Sequence, residues 1–263
     1  MGRFGSATAF GSEAALWVVG AALVASSAGM SWSLDLPKLD LAAPQSANPT
    51  LAASGSPAPS STPGPTMSSV AQKMKAFFDN PALQFEAKNH GGAKVTSNGR
   101  TINGTITDTI AYNEGAASDF GQVVANGYVT SYDRVALGTT VYYRNNGSAW
   151  ATENRPEQYM LVITLLWENR VFVDRGLEKK NGRQLHRIEA TDTAALSADY
   201  QKSQAAADAD MTLVYWTDNN GAPVFFNVSG TYTQVVKGVS TGMLIDEDWT
   251  VTKTSGVTIT API

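Results

Sequence analysis

The clearest pattern in the chain is an alternation of period two. In TINGTITDTIAY the even positions are Ile102, Gly104, Ile106, Asp108, Ile110 and Tyr112, and the odd positions are mostly Thr. Strand side chains point alternately to opposite faces, so this row predicts a strand with one buried and one wetted face. Antiparallel sheets take that form. Asp108 interrupts the apolar row and marks either a bulge or a polar group inside a cavity. Further strands are expected at LQFEAK, with Phe85 and Ala87 on one side, and at DFGQVVANGYV, TTVYYRNNGSAW, VFVDRGLEKK, RQLHRIEA, MTLVYWTD, PVFFNVSG, TYTQVV, DWTVT and VTITA. Asn-Gly pairs at Asn146-Gly147, Asn181-Gly182 and Asn220-Gly221 predict hairpin turns. Between these segments, NHGGAK reads as a turn carrying His90, and Asp246-Glu247-Asp248 as a solvated acidic loop.

Three segments carry helical rather than strand periodicity. Val70, Met74, Phe77 and Phe78 fall at i, i+4, i+7 and i+8 behind a capping Ser68-Ser69, and Asn80-Pro81 ends the run. Pro156 opens PEQYMLVITLLWEN, in which Tyr159 to Trp167 is apolar apart from Thr164. A helix apolar on every side must be buried on every side, between a sheet and other helices or a bound apolar ligand. The stretch TAALSADYQKSQAAADAD reads as a mostly exposed helix.

The N-terminal quarter has a different character. Ala14 to Trp32 is uncharged and includes ALWVVGAALVA. Small residues at Ser26 and Ala28 suit a cleaved signal peptide, while nineteen uncharged residues suit a retained membrane anchor. Both readings stay open for residues 1–32. Residues 33–66 form a linker, and its Leu41–Thr66 part is uncharged and rich in Pro, Ser and Ala, which disfavours both helix and sheet. The folded part is expected over residues 67–263, held off a membrane surface or exported across it, so the protein is expected to be extracytoplasmic.

Composition narrows the chemistry. Of 263 residues, 43% are hydrophobic and 16% charged, with a net charge of −4. No clustered Lys and Arg are present to neutralise phosphates, so nucleic acid is not an expected partner. The absence of cysteine excludes disulfides, thiol nucleophiles and an acylated N-terminal Cys. The two histidines, His90 and His186, have no neighbours at metal-ligand spacing. Asp218-Asn219-Asn220-Gly221 lacks the spacing of a calcium loop and reads as a turn. Lys179-Lys180 at a hairpin tip supplies little attraction to anionic headgroups. No nucleophile elbow or phosphate-binding glycine pattern occurs, so no catalytic residue, cofactor or metal is expected.

The order of elements carries a resemblance. An amphipathic helix comes first, then strands ending in YYRNNGSAW, an apolar segment after Pro156, NGRQLHRIEAT, MTLVYWTDNNGAPV and a terminal VTITAP. Over Met67 to Pro262 this resembles the LolA-like and LppX/LprG-like bacterial lipoprotein-carrier superfamily. The resemblance implies an α+β fold: a strongly curved antiparallel sheet, an incomplete β-barrel, with helices covering the concave face. It also implies a non-catalytic carrier of lipid or another apolar ligand in the cell envelope. The LppX/LprG-like branch is anchored through an acylated Cys, which this chain lacks. The expected ligand-lining residues are Phe77, Phe78, Phe85, Ile106, Ile110, Tyr112, Met160, Ile163, Leu166 and Trp167, chosen from the apolar sheet parity and the two apolar helices. The alternative expectation is a membrane-tethered interaction module with a filled core, which would bind an envelope protein partner through an exposed apolar patch.

Overall fold

In the computed structural model the described residues are Met67–Pro262, apart from Asn98, residues 155–163, Leu165, Ala205, and residues 237–238. The helix expected from Pro156 falls largely outside them, as do Met160, Ile163 and the whole N-terminal segment and linker.

Helix α1 spans Ser69–Phe78, with Ser68 Oγ accepting a hydrogen bond from the Ala71 amide at 3.2 Å. Val70, Ala71, Met74 and Phe78 are its buried face, one turn-spaced stripe as the periodicity requires. Eleven strands follow: β1 Gln84–Ser97, β2 Arg100–Asn113, β3 Ala116–Ala125, β4 Tyr128–Leu137, β5 Thr140–Asn145, β6 Ala151–Glu153, β7 Phe172–Lys180, β8 Arg183–Ala190, β9 Asp208–Thr217, β10 Pro223–Val236 and β11 Val239–Lys253. Helix α2, Thr193–Gln204, lies between β8 and β9.

All the pairings are antiparallel, in the order β6-β5-β4-β3-β2-β1-β11-β10-β9-β8-β7. The sheet is therefore two meanders joined where the first strand meets the last. Its edges, β6 and β7, are consecutive in sequence, so the connection 154–171 links one edge to the other. The Asn-Gly hairpins form as expected: Asn181 and Gly182 take φ of 51° and 81°, the left-handed pair that a two-residue turn demands.

Several expectations need correction. NHGGAK is not a turn; β1 runs straight through it to Ser97. Gly91 is needed there because a Cβ would lie 2.7 Å from the Asp246 carbonyl oxygen and 2.8 Å from Glu247 Cα on β11. The Asp246-Glu247-Asp248 loop is instead the middle of β11, with Glu247 buried. TYTQVV and PVFFNVSG are one strand, β10. The terminal VTITA forms no strand; it is held by Asn113 Nδ2 donating to the Val257 carbonyl at 2.7 Å. Both flanks of β1 and β11 are already paired, so the sheet offers it no free neighbour. Helix α2 is largely exposed, as expected, but buries Leu196, Ser197 and Tyr200.

Candidate functional site

Both described helices touch the same face of the sheet, here called inner. Phe78 of α1 meets Phe85 on β1 and Tyr215 on β9, with ring centroids 6.5 and 5.3 Å away. Tyr200 of α2 meets Tyr232 on β10 at 5.3 Å. Strand parity then fixes which other side chains share this face.

At one end of the inner face lies an aromatic cluster centred on Trp167. Its indole stacks on Phe78 at 5.2 Å and meets Phe85 and Tyr112 edge-on at 5.6 and 5.4 Å. Trp167 belongs to the edge-to-edge connection, not to the sheet. It is fixed by Tyr215 Oη donating to the Leu166 carbonyl at 2.9 Å and by its own amide donating to the Thr164 carbonyl at 3.0 Å. Beyond it, Arg170 is anchored to α2 and its approach, donating to Asp192 at 3.0 Å and to Asp199. The void left among Phe78, Phe85, Leu166, Trp167, Tyr215 and Phe226 is about 10 Å³. That is about the smallest space that holds one water. At this end the chain's own rings fill the hollow.

Of the expected lining residues, Phe78, Phe85, Tyr112, Leu166 and Trp167 come together here. Phe77 is half-buried at the margin, edge-on to Phe78 at 5.2 Å. Ile110 and Ile106 are buried on the same face further along β2, separated by Asp108. Sequence reasoning passed over Tyr215, Phe226 and Trp249, although parity in MTLVYWTD and PVFFNVSG would have found the first two.

Asp108 begins the second feature, a polar belt across the middle of the inner face. The register of β2 is unbroken around it, so it marks no bulge. Its carboxylate accepts from Tyr132 Oη on β4 and from Asn89 Nδ2 on β1 at 3.1 Å. Tyr132 reaches it across β3 because the intervening position is Gly121, where a Cβ would stand 2.5 Å from Tyr132 Oη. Asp119 and Arg134 oppose each other on β3 and β4, and Glu247 joins from β11. All are buried.

Burial dominates the protonation of this belt, because a low-dielectric surrounding disfavours the charged carboxylate. It raises Asp108 to about 6, against the hydrogen bonds from Tyr132 and Asn89. Burial, then the Asp108 charge, raises Glu247 to about 8 and Asp119 well above the usual carboxylate range. Near neutral pH the belt thus holds an ionised Asp108 and a protonated Glu247, with Asp119 shifted in the same direction as Glu247.

One further cluster has the ingredients of catalysis but not the geometry. Asp174 accepts from Ser68 Oγ at 2.9 Å and lies 3.0 Å from His186 Nδ1. The carboxylate sits between the other two, whereas activation of a serine needs the imidazole there. The arrangement fastens the N-terminus of α1 to the β7–β8 hairpin. Among the described residues, no group of three His, Asp or Glu side chains is placed to hold a metal ion.

The outer face bears an open groove of about 370 Å³ over β1 to β4, with Lys88, Thr107, Thr109, Phe120 and Gln122 along it.

Against known proteins, the likeness is one of structure. LprF from Mycobacterium bovis matches 73% of this chain and 96% of its own at 13% identity and a TM-score of 0.40. A putative outer membrane lipoprotein-sorting protein domain from Vibrio parahaemolyticus matches 72% and 92% at 14% identity and a TM-score of 0.28. A LolA superfamily protein from Nitrosomonas europaea matches 73% and 96% at 8% identity and a TM-score of 0.26. No protein-family model and no curated protein matches the chain.

Proposed function

We propose that the protein is an extracytoplasmic, non-catalytic binding protein that holds a lipid or another apolar ligand against the inner face of its open sheet. In this reading the strands bend into an incomplete barrel, the helices cover the concavity, residues 1–32 export or anchor the chain, and residues 33–66 tether it. The observation that carries the reading is the origin of the plug. The aromatic end of the hollow is closed by Trp167, a side chain on the connection between two unpaired edges and not on the sheet itself. Displacing the Trp167 ring alone exposes Phe78, Phe85 and Tyr112 together and makes room for a chain. Each buried methylene of a guest then contributes about 0.8 kcal/mol, so binding needs no special chemistry.

The test is native mass spectrometry of the full chain purified from its own membrane fraction. Co-purified lipid is the expected result, with more retained by Trp167→Ala. Lipid-free protein that also takes up no added lipid would sink the proposal.

The 10 Å³ void favours a second reading, a tethered interaction module with a filled core. It predicts lipid-free protein in the same experiment and capture of an envelope protein through the outer face, where Phe120 is exposed beside Lys88.

A further inference from the structure

Arg134 is the least explained side chain in the polar belt. It is 1% exposed, yet its Nε, Nη1 and Nη2 have no hydrogen-bond partner. The guanidinium carbon lies 5.0 Å from the Tyr132 ring centroid, a contact that satisfies no N–H. A guanidinium cannot shed its charge by deprotonating, and burying it unpaired costs several kcal/mol. Asp108 and Asp119 attract it but give it no hydrogen bond. The Asp108 oxygens are occupied by Tyr132 and Asn89. Asp119, opposite Arg134 in register, is raised well above the usual carboxylate range by burial, and its Oδ1 is also unpaired. The belt therefore contains a buried guanidinium whose N–H groups make no hydrogen bond. In register Arg134 shares a row of the inner face with Asp119 and Ile110; along the strands Tyr112, Ala117 and Ala136 lie one way, and Asp108, then Ile106 and Val123, the other.

From this we infer that Arg134 is the head-group subsite of the inner face, and that the ligand is an amphiphile: a single apolar tail ending in an anionic oxygen group, carboxylate or phosphate. The inference rests on the proposed binding function and names the class of ligand. A planar guanidinium presents its N–H groups as a fork that matches two oxygens of either head. The tail lies along the apolar stretches flanking the belt.

The test compares three probes of equal tail length on the full chain at pH 7: hexadecanoate, hexadecyl phosphate and hexadecanol. Binding is followed by quenching of tryptophan fluorescence, and inorganic phosphate is added as a competitor. The two anions should bind roughly ten to a hundred times more tightly than the alcohol, the worth of a charge-assisted hydrogen-bonded pair. Arg134→Gln should bring all three to the affinity of the alcohol, and Arg134→Lys should restore part of the difference. Equal affinities for the three probes on the unsubstituted protein overturn the subsite and leave the apolar site standing. That comparison needs no variant to fold. Binding of none of them overturns the apolar site and the subsite with it. Displacement of hexadecanoate by inorganic phosphate alone makes the site one for a free anion and overturns the amphiphile.

Discussion

Replacing Glu247 with Gln should remove a pH dependence of stability that the native chain builds into its middle strand. The unfolded chain releases this proton near 4.5, whereas the folded protein holds it to about 8, because burial and the nearby Asp108 charge oppose ionisation. Below pH 4.5 both states are protonated and the group contributes nothing to the slope. Between 4.5 and 8 the folded state binds a proton that the unfolded state has lost, so stability falls as pH rises. Above 8 both have released it and the slope is flat again. Each pH unit in the window is worth about 1.4 kcal/mol, giving an upper limit near 5 kcal/mol over the whole range. Asp108 adds its own loss, but that is complete once the pH passes about 6. In the window from pH 6.5 to 8 Asp119, raised in the same direction, adds a slope of the same sign, and Glu247 accounts for an expected loss of about 2 kcal/mol. Urea unfolding at pH 6.5, 7.25 and 8 measures it through the transition midpoint at constant slope. Glu247→Gln is isosteric and cannot ionise, so its stability should fall by about 2 kcal/mol less than the native chain's across that window. Parallel profiles for the two proteins, within about 0.5 kcal/mol, would refute the argument that Glu247 is held protonated by its surroundings.

Other substitutions probe other parts of the fold. Gly121→Ala would drive a methyl between Asp108 and Tyr132, and should cost about 1–3 kcal/mol in chemical denaturation. Tyr132→Phe removes the hydroxyl that donates to Asp108, should cost about 1–3 kcal/mol, and should extend the fall in stability that Asp108 causes with rising pH beyond pH 6. Arg170→Met strips the donors shared by Asp192 and Asp199 and should cost about 1.5–3 kcal/mol, read as a lowered melting temperature. Trp167→Ala, besides retaining more lipid, should lower the stability of the ligand-free protein by about 3–5 kcal/mol, since three ring contacts are lost at once.

Much of this architecture is legible in the residues, and the failures share a cause. The α1 stripe, the β2 alternation and the Asn-Gly hairpins are local: period and turn chemistry decide them, and the structure agrees. The polar belt is not local. Asp246-Glu247-Asp248 looks like a wetted loop because three acids in a row rarely enter a sheet. Only the β11 register reveals that Asp246 and Asp248 point one way, toward Asn227 at 2.8 and 3.2 Å, and Glu247 the other. NHGGAK misleads for the same reason: its glycines serve a close approach of β11, 155 or so positions downstream, which no window along the chain can show. Arg134 gave a faint signal, since Tyr132, Arg134 and Ala136 share one parity with apolar neighbours, but a lone arginine in an alternating segment is ordinarily a surface residue. Its burial depends on three strands meeting, and so does its missing acceptor.

The seam between β1 and β11 pairs Glu86 with Lys253, a contact spanning most of the folded chain. Each meander on either side can zip by successive hairpins, but this central ladder has to wait for the C-terminus. During synthesis, β1 keeps one row of amide and carbonyl groups bare until the last strand arrives. A truncation that clips β11 therefore exposes two raw borders in mid-sheet, on β1 and on β10, each a template for another chain. Shortening the protein from its C-terminal end by twenty residues should yield aggregates, seen in size-exclusion chromatography as loss of the monomer peak.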